Sequence, residues 1–167
     1  MPPAQWLQTF EVNLVHAVRV IQAALPHLEK SDVASVVIVA SISGSRPGPR
    51  SQYGVAKAAE IQLAASLARE LAPQRVRINA VSPGSILWEG GSWHKRSLAM
   101  PEIIGEFIKR EFPWGRMGTL DEIADVITFV ASPRARWING ANVIVDGAHA
   151  FVLSGGSAYG LDAAGGV

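Results

Sequence analysis

The chain contains no cysteine among its 167 residues, which excludes disulfides, thiolate nucleophiles and cysteine-rich zinc sites. Its four histidines (His16, His27, His94 and His149) show no HExxH or other ligand spacing, so we expect no metal site. Fifteen basic and fourteen acidic residues give a net charge of +1, with no basic block. This balance argues against nucleic acid or an anionic membrane surface as a partner.

Long hydrophobic runs are also missing. No apolar stretch approaches the ~20 residues that a membrane-spanning helix needs. The first residues, MPPAQW, have neither the basic nor the apolar region of a signal peptide. We therefore expect a cytoplasmic protein without a membrane segment. A composition of 49% apolar and 17% charged residues is typical of a globular fold.

Helical and strand patterns alternate along the chain. The apolar spacing predicts helices over 4–25 (ended by Pro26), 51–72 (ended by Pro73), 101–112 and 120–131, the last opened by a capping box from Thr119 to Glu122. Strands are predicted over 35–40, 75–81 and 142–146, the first of them buried on both faces. Residues 83–101 show no periodicity, and the glycine-rich tail 151–167 is predicted to be mobile.

This alternation predicts an α/β fold with a parallel sheet. Residues 1–150 would form the domain. A complete dinucleotide-binding fold has two βαβαβ halves, whereas only three strands are visible here. The prediction is therefore an incomplete, Rossmann-like, doubly wound parallel sheet.

Three side chains could form a proton-transfer device. Tyr53 and Lys57 are four residues apart in a predicted helix and so lie on the same face. The ammonium of Lys57 would favour the phenolate form of Tyr53. Ser41, which follows a predicted strand, could hydrogen-bond the same substrate oxygen. No glycine-rich phosphate-binding loop precedes these residues.

An ordered set of motifs between Trp6 and Gly147 resembles the classical short-chain dehydrogenase/reductase family. The set consists of Phe10-Glu-Val-Asn13-Leu, Val-Ala-Ser41, Tyr53-x-x-x-Lys57, Val-Arg-Ile-Asn79-Ala-Val-Ser-Pro83-Gly84-Ser-Ile86, Gly115-Arg-x-Gly118 with Glu122-Ile-Ala124, and Asn139-Gly140 with Val145-Asp146-Gly147. A lone YxxxK motif would be weak evidence. The ordered set is specific.

The resemblance implies a catalytic role for four residues. Tyr53 would be the acid/base that exchanges a proton with the alcohol oxygen, and Lys57 would favour the phenolate and hold the nicotinamide ribose. Ser41 would orient the substrate oxygen, with Ser43 as the alternative serine. Asn13 would hold a water beside the lysine.

The resemblance also implies a cofactor, NAD or NADP, and a small-molecule carbonyl or alcohol substrate. Tyr53, Lys57, Pro83, Gly84 and Ile86 would contact the nicotinamide end of the cofactor, with the Ile86 backbone at the carboxamide. The family's substrate-determining segment would fall within 85–114, which leaves the substrate open. Helices 4–25 and 51–72 would pair with a second subunit in a homo-oligomer.

Several features depart from the family pattern. The glycine-rich TGxxxGxG turn and the residue that selects NAD or NADP precede Asn13 in the family, but only twelve residues precede it here. Strand 35–40 would then have a bare edge. Trp88 replaces a threonine that contacts the cofactor in the family.

Two other functions stay open. The same Ser-Tyr-Lys group could act as a cofactor-free, esterase-like hydrolase, because a tyrosinate could activate Ser41 as a nucleophile. Alternatively, the chain could be an inactive remnant that dimerises. No GxSxG elbow supports the hydrolase.

Overall fold

Three parallel strands form one sheet in the computed structural model, which describes residues 2–147. The strands are β1 (Ser35–Val39), β2 (Arg77–Pro83) and β3 (Asn142–Val145), in the order β1-β2-β3. Ser35 pairs with Arg77 at the start of β1, and Pro83 pairs with Val145 at the end of β3. The predicted α/β fold with a short parallel sheet is confirmed. The tail 151–167 lies outside the described residues.

Six α-helices connect and cover these strands within residues 2–147. They are α1 (Pro3–Phe10), α2 (His16–Leu28), α3 (Ser51–Glu70), α4 (Ser92–Ala99), α5 (Pro101–Glu111) and α6 (Leu120–Ala131). A π-helical segment, Glu11–Val15, joins α1 to α2. In this part of the chain, no helix is both long and apolar enough to cross a membrane.

The sheet is covered on both faces. One buried cluster joins alternate residues of β1 and β2, such as Ile38, Ile78 and Ala80, to residues of α2 and α3. Because side chains alternate between the faces of a strand, these residues define a single face. Helix α6 contacts β1 and β2 but contributes nothing to that cluster, so it covers the opposite face.

Two asparagines align β3 with β2. The fully buried Asn79 donates to the Ile138 carbonyl at 3.0 Å and accepts from the Ala141 amide at 3.0 Å. Asn139 accepts from the Ile78 amide at 2.9 Å and donates to the Ala68 carbonyl of α3 at 3.1 Å. These bonds hold the segment before β3 against both β2 and α3.

The first helical region differs from the prediction. Helix α2 runs to Leu28 and contains Pro26, which was predicted to end it. A proline interrupts a helix by removing an N–H donor and by crowding the preceding turn. Only two helical residues follow Pro26, so the helix loses few backbone hydrogen bonds by containing a proline there.

Strand β1 is less buried than predicted. Val39 is 47% exposed, because β1 lies at the edge of the sheet. Among residues 2–147, β1 pairs with β2 alone, as expected from the family order, and the predicted burial of β1 on both faces is wrong. The second strand also begins and ends two residues later than predicted, at Arg77 and Pro83.

Residues 83–101 are not a continuous loop, since they include helix α4. The ring of Trp93 in α4 stacks on Phe107 of α5, with centroids 5.0 Å apart. Phe107 also meets Phe112 edge-on at 5.7 Å. This packing between neighbouring helices stabilises a short helix that sequence periodicity alone does not indicate.

The turn after β1 packs directly onto α3 at Gly44. A Cβ at this position would lie 2.7 Å from the Lys57 carbonyl carbon and 2.8 Å from the Ala58 nitrogen. Distances this short force the backbone to move. Gly44 therefore permits the close approach that brings the end of β1 to the start of α3.

We predict that Gly44→Ala lowers the free energy of unfolding by about 1–3 kcal/mol, because overpacking displaces the backbone. The matched control is Gly105→Ala in α5, where an added Cβ meets nothing within 4 Å. That substitution should raise stability by about 0.5–1 kcal/mol through helix propensity. Urea unfolding followed by circular dichroism measures both. Equal effects of the two substitutions would contradict the close approach.

Candidate active site

Ser41 lies just beyond the carboxyl end of β1. It caps the short 3-10 helix Ile42–Gly44, and its Oγ accepts a hydrogen bond from the Ser43 amide at 3.2 Å. The residue is partly buried. Ser43, the alternative serine, places its backbone carbonyl against Gly54. The turn thus brings Ser41 to the first turns of α3.

Tyr53 and Lys57 lie on α3 as the spacing predicts. The Lys57 Nζ is 5.7 Å from the centroid of the Tyr53 ring. It also donates to the Val39 carbonyl at 3.0 Å, two residues before Ser41. The structure therefore brings Tyr53, Lys57 and the Ser41 turn together at the carboxyl end of β1.

Sequence reasoning missed the closest partner of Lys57. Its ammonium lies 3.1 Å and 2.9 Å from the two carboxylate oxygens of Glu60, and only 1% of Glu60 is exposed. Burial raises the pKa of Glu60, although the hydrogen bond and charge of Lys57 oppose that rise. An acidic residue three positions after Lys57, on an otherwise alanine-lined helix face, is the signal that could have revealed the pair.

Asn13 lies in the π-helical segment Glu11–Val15, which contacts α3. Its Nδ2 donates to the Thr9 carbonyl one turn earlier at 2.8 Å. The side chain is partly buried. The side-chain amide of Asn13 therefore bonds within its own helix.

The end of β2 forms the second part of the site. Gly84 donates its amide to the Val145 carbonyl at 2.9 Å, and a Cβ on Gly84 would lie 2.7 Å from the Asp146 Cβ. Pro83 is the last residue of β2. Glycine is thus required where the chain leaves the sheet beside β3.

Ile86 forms an isolated parallel bridge with Gly118. The hydrogen bonds of the bridge run from the Gly118 amide to the Ser85 carbonyl (3.1 Å) and from the Leu87 amide to the Gly118 carbonyl (2.9 Å). Because these bonds use groups of Ser85 and Leu87, the amide and carbonyl of Ile86 face away from Gly118.

A cleft of about 330 Å³ opens beside the ends of β2 and β3. Its lining includes Ile86, Phe112, Trp114, Arg116 and Glu122. Arg116 and Glu122 form a two-point ion pair, with N–O distances of 2.9 Å and 2.6 Å. Trp114 lines this cleft, whereas Trp93 stacks on Phe107 of α5 instead.

Asp146 also lines this cleft, and it forms an ion pair there. Its carboxylate, 7% exposed, forms an ion pair with Arg46 at 3.0 Å. The pair connects the loop after Ser41 to the end of β3. Among residues 2–147, the structure contains no group of three or more His, Asp or Glu side chains suited to a metal.

Comparison with known proteins defines the family. A family model described as enoyl-(acyl carrier protein) reductase matches residues 1–148. Isoepoxydon dehydrogenase of Aspergillus clavatus is 40% identical over 144 residues, covering 85% of this chain and 55% of that protein. Human dehydrogenase/reductase SDR family member 4 is 34% identical over 143 residues, covering 85% of this chain and 50% of that protein.

Solved structures give the same result for the fold. An NADPH-bound short chain oxidoreductase from Pseudomonas aeruginosa, described as having an atypical catalytic center, superposes with a TM-score of 0.81 and 29% identity over 90% of this chain and 59% of that one. For an NAD-bound 3-oxoacyl-[acyl-carrier protein] reductase from Brucella melitensis, the TM-score is 0.74 and the identity 29%, over 87% and 52% of the two chains.

The chain belongs to the short-chain dehydrogenase/reductase family, within the group that the enoyl-(acyl carrier protein) reductase model describes. The resemblance carried by the ordered motifs is thereby confirmed. The chain spans about half the length of the curated relatives it matches.

The Arg116–Glu122 ion pair at the cleft predicts how the stability of the fold depends on pH. The hydrogen bond from Arg116, followed by the Thr119 amide, lowers the pKa of Glu122 from 4.5 to about 2. A depressed pKa means that the carboxylate stabilises the fold above about pH 4.5 and that this contribution is lost as the pH falls from 4.5 toward 2. Glu122→Gln should therefore have a lower free energy of unfolding than the wild type at pH 7. This difference should shrink as the pH approaches 2.

Urea unfolding at several pH values between 7 and 2 measures this difference. Asp121→Asn is the matched control, because it removes an acid from the same helical turn. A Glu122→Gln penalty of the same size at every pH would show that the charge of Glu122 is not the cause.

Proposed function

We propose that this chain is the catalytic part of an NAD(P)-dependent oxidoreductase that acts on a carbonyl or alcohol. The observation that carries the proposal is the convergence of Tyr53, Lys57 and the Ser41 turn at the carboxyl end of β1. Ligands of open parallel sheets bind at this edge. Family membership supports the reaction class, since short-chain dehydrogenase/reductases are oxidoreductases.

The residues fit the nicotinamide end of such a cofactor. Tyr53 and Lys57 have hydrogen-bond donors suited to ribose hydroxyls, and the Ile86 amide and carbonyl face away from their bridge partner. Pro83 and Gly84 would form the wall where β2 ends. No described residue between 2 and 147 belongs to a glycine-rich pyrophosphate loop, so the remainder of the cofactor needs groups outside this part of the chain.

When bound, the cofactor would supply the hydride chemistry, and the protein would supply position and a proton. In reduction of a carbonyl, the Tyr53 hydroxyl would donate its proton to the substrate oxygen. Ser41 would hydrogen-bond the same oxygen and so fix its direction. Asn13, in the π-helical segment against α3, would hold a water near Lys57.

The finer assignments are part of this proposal. The cofactor is NAD or NADP, and the solved relatives include one NADPH-bound and one NAD-bound protein. The cleft with Trp114 and Phe112 would hold the apolar part of a small-molecule substrate. The cytoplasmic location stays a prediction.

Homo-oligomer formation through 4–25 and 51–72 also belongs to the proposal. Leu7, Val12 and Val20 are 63–73% exposed on the first of these regions. Val55 is 48% exposed on α3. Outward apolar side chains on two neighbouring helices support an interface there.

The proposed interface predicts that a charge introduced on α2 weakens the oligomer. Val20→Lys should shift the wild-type oligomer toward monomer, because burying an unpaired ammonium is unfavourable. Leu98→Lys is the control, since Leu98 is 71% exposed on α4, outside these helices. Sedimentation velocity measures both. A wild-type monomer, or equal behaviour of the two variants, would contradict an interface on these helices.

Tyr53→Phe tests the catalytic role. Loss of the acid/base should lower NAD(P)H-dependent turnover of a panel of small carbonyl compounds by about 10²–10⁴-fold. Nucleotide affinity, measured by calorimetric titration with NADH and NADPH, should change far less. Tyr159, the other tyrosine, gives the control Tyr159→Phe.

If the wild-type chain neither binds nucleotide nor turns over any carbonyl, the proposal is wrong for this chain. Ester hydrolysis that disappears in Ser41→Ala and needs no nucleotide would instead support the hydrolase.

A further inference from the structure

The ammonium of Lys57 is already engaged by oxygens of the protein. An ammonium has three N–H donors. Lys57 Nζ contacts three acceptor oxygens, namely the Val39 carbonyl at 3.0 Å and the Glu60 carboxylate oxygens at 3.1 Å and 2.9 Å. A ribose hydroxyl that accepts from Lys57 therefore competes with these contacts.

Burial makes the Lys57–Glu60 ion pair difficult to separate. The side chains of Lys57 and Glu60 are only 12% and 2% exposed. Removing one partner of a buried ion pair leaves an uncompensated charge, which is strongly unfavourable. Glu60 therefore resists separation from Lys57 far more than a surface carboxylate would.

The backbone partner fixes where the ammonium lies. In β1, the Ala34 carbonyl and the Ala40 amide bond to β2. Groups of a parallel strand point alternately to its two sides, so the Val39 carbonyl points away from β2, to the outer side of β1. Lys57 is consequently drawn to the outer side of β1.

The surroundings contain one further titratable group. A hollow of about 320 Å³ between α2 and β1 is lined by His16, Lys57 and Glu60 together with apolar residues. His16 on α2 favours the charged form of Glu60. The residues of β1 in this hollow, 36–39, are all apolar, so the charges that act on Glu60 come from α2 and α3.

We propose that Glu60 is a positioning residue that holds the Lys57 ammonium at the outer edge of β1 and withholds it from a ribose diol. The inference deepens the proposed function and rests on it for the identity of the ligand. A nucleotide that engages Lys57 must compete with the Glu60 carboxylate. Glu60 would thus limit the affinity of this site for the nicotinamide ribose.

The first test measures the availability of Lys57 without any nucleotide. Trace acetylation of the full chain with acetic anhydride, read by peptide mass spectrometry, gives the rate at Lys57 relative to the exposed Lys30. Glu60→Gln keeps the side-chain shape and removes the charge. Lys57 should then react about tenfold faster, the effect of losing one hydrogen bond to a charged group.

Glu70→Gln is the matched control, because it removes the same charge from an exposed position of the same helix. It should leave the rate at Lys57 unchanged. An unchanged rate in Glu60→Gln, or an equal increase in both variants, overturns the proposal.

The wild type gives an independent check if Glu60→Gln fails to fold, since Lys57 should react at least about tenfold more slowly than Lys30. Equal rates overturn the proposal.

The second test uses calorimetric titration with NADH and NADPH. We expect Glu60→Gln to bind at least one of them about tenfold more tightly than the wild type and Glu70→Gln. Weaker binding in Glu60→Gln overturns the withholding role. Faster acetylation without nucleotide binding in any of the proteins supports the positioning of Lys57 and overturns the proposed function instead.

Discussion

The parallel pairing of β1 with β2 is the constraint on which the candidate site depends. In a parallel sheet the carboxyl ends of all strands lie at one edge. Ser41 follows β1 and Gly84 follows β2, so residues more than forty positions apart reach the same edge without any direct attraction between them. The asparagine bonds between β2 and the segment before β3 then add Asp146 and Gly147 to that edge.

Helix α3 completes this arrangement because its first turns approach the end of β1 closely. Gly44 and Gly54 make the approach possible, since a side chain on either would meet backbone atoms within 3 Å. Tyr53 and Lys57 enter the site on this helix. Lys57 also binds to Val39 and Glu60, so the side chain that we propose to meet the cofactor also connects α3 to β1.

Local patterns predicted the parts of the structure that depend on neighbouring residues. The capping box at Thr119 and Glu122 forms as expected, because its bonds lie within one helical turn. The Tyr53–Lys57 spacing places both side chains on one face for the same reason. Prediction was less accurate for β1, whose exposure depends on strand order, and for α4, which is stabilised by Trp93 packing on Phe107. Neither strand order nor packing between helices can be read from a short stretch of sequence.

By itself, the sequence determined the α/β alternation, the parallel sheet and the family, because periodicity and motif order are properties of the chain alone. It also singled out Ser41, Tyr53 and Lys57 as the candidate site residues. The tertiary structure decided what those side chains contact. Only folding buries Glu60 against Lys57, turns the Val39 carbonyl away from β2 and forms the cleft beside Ile86. Burial and hydrogen-bond partners depend on distances between elements, and those distances exist only once the strands and helices have packed.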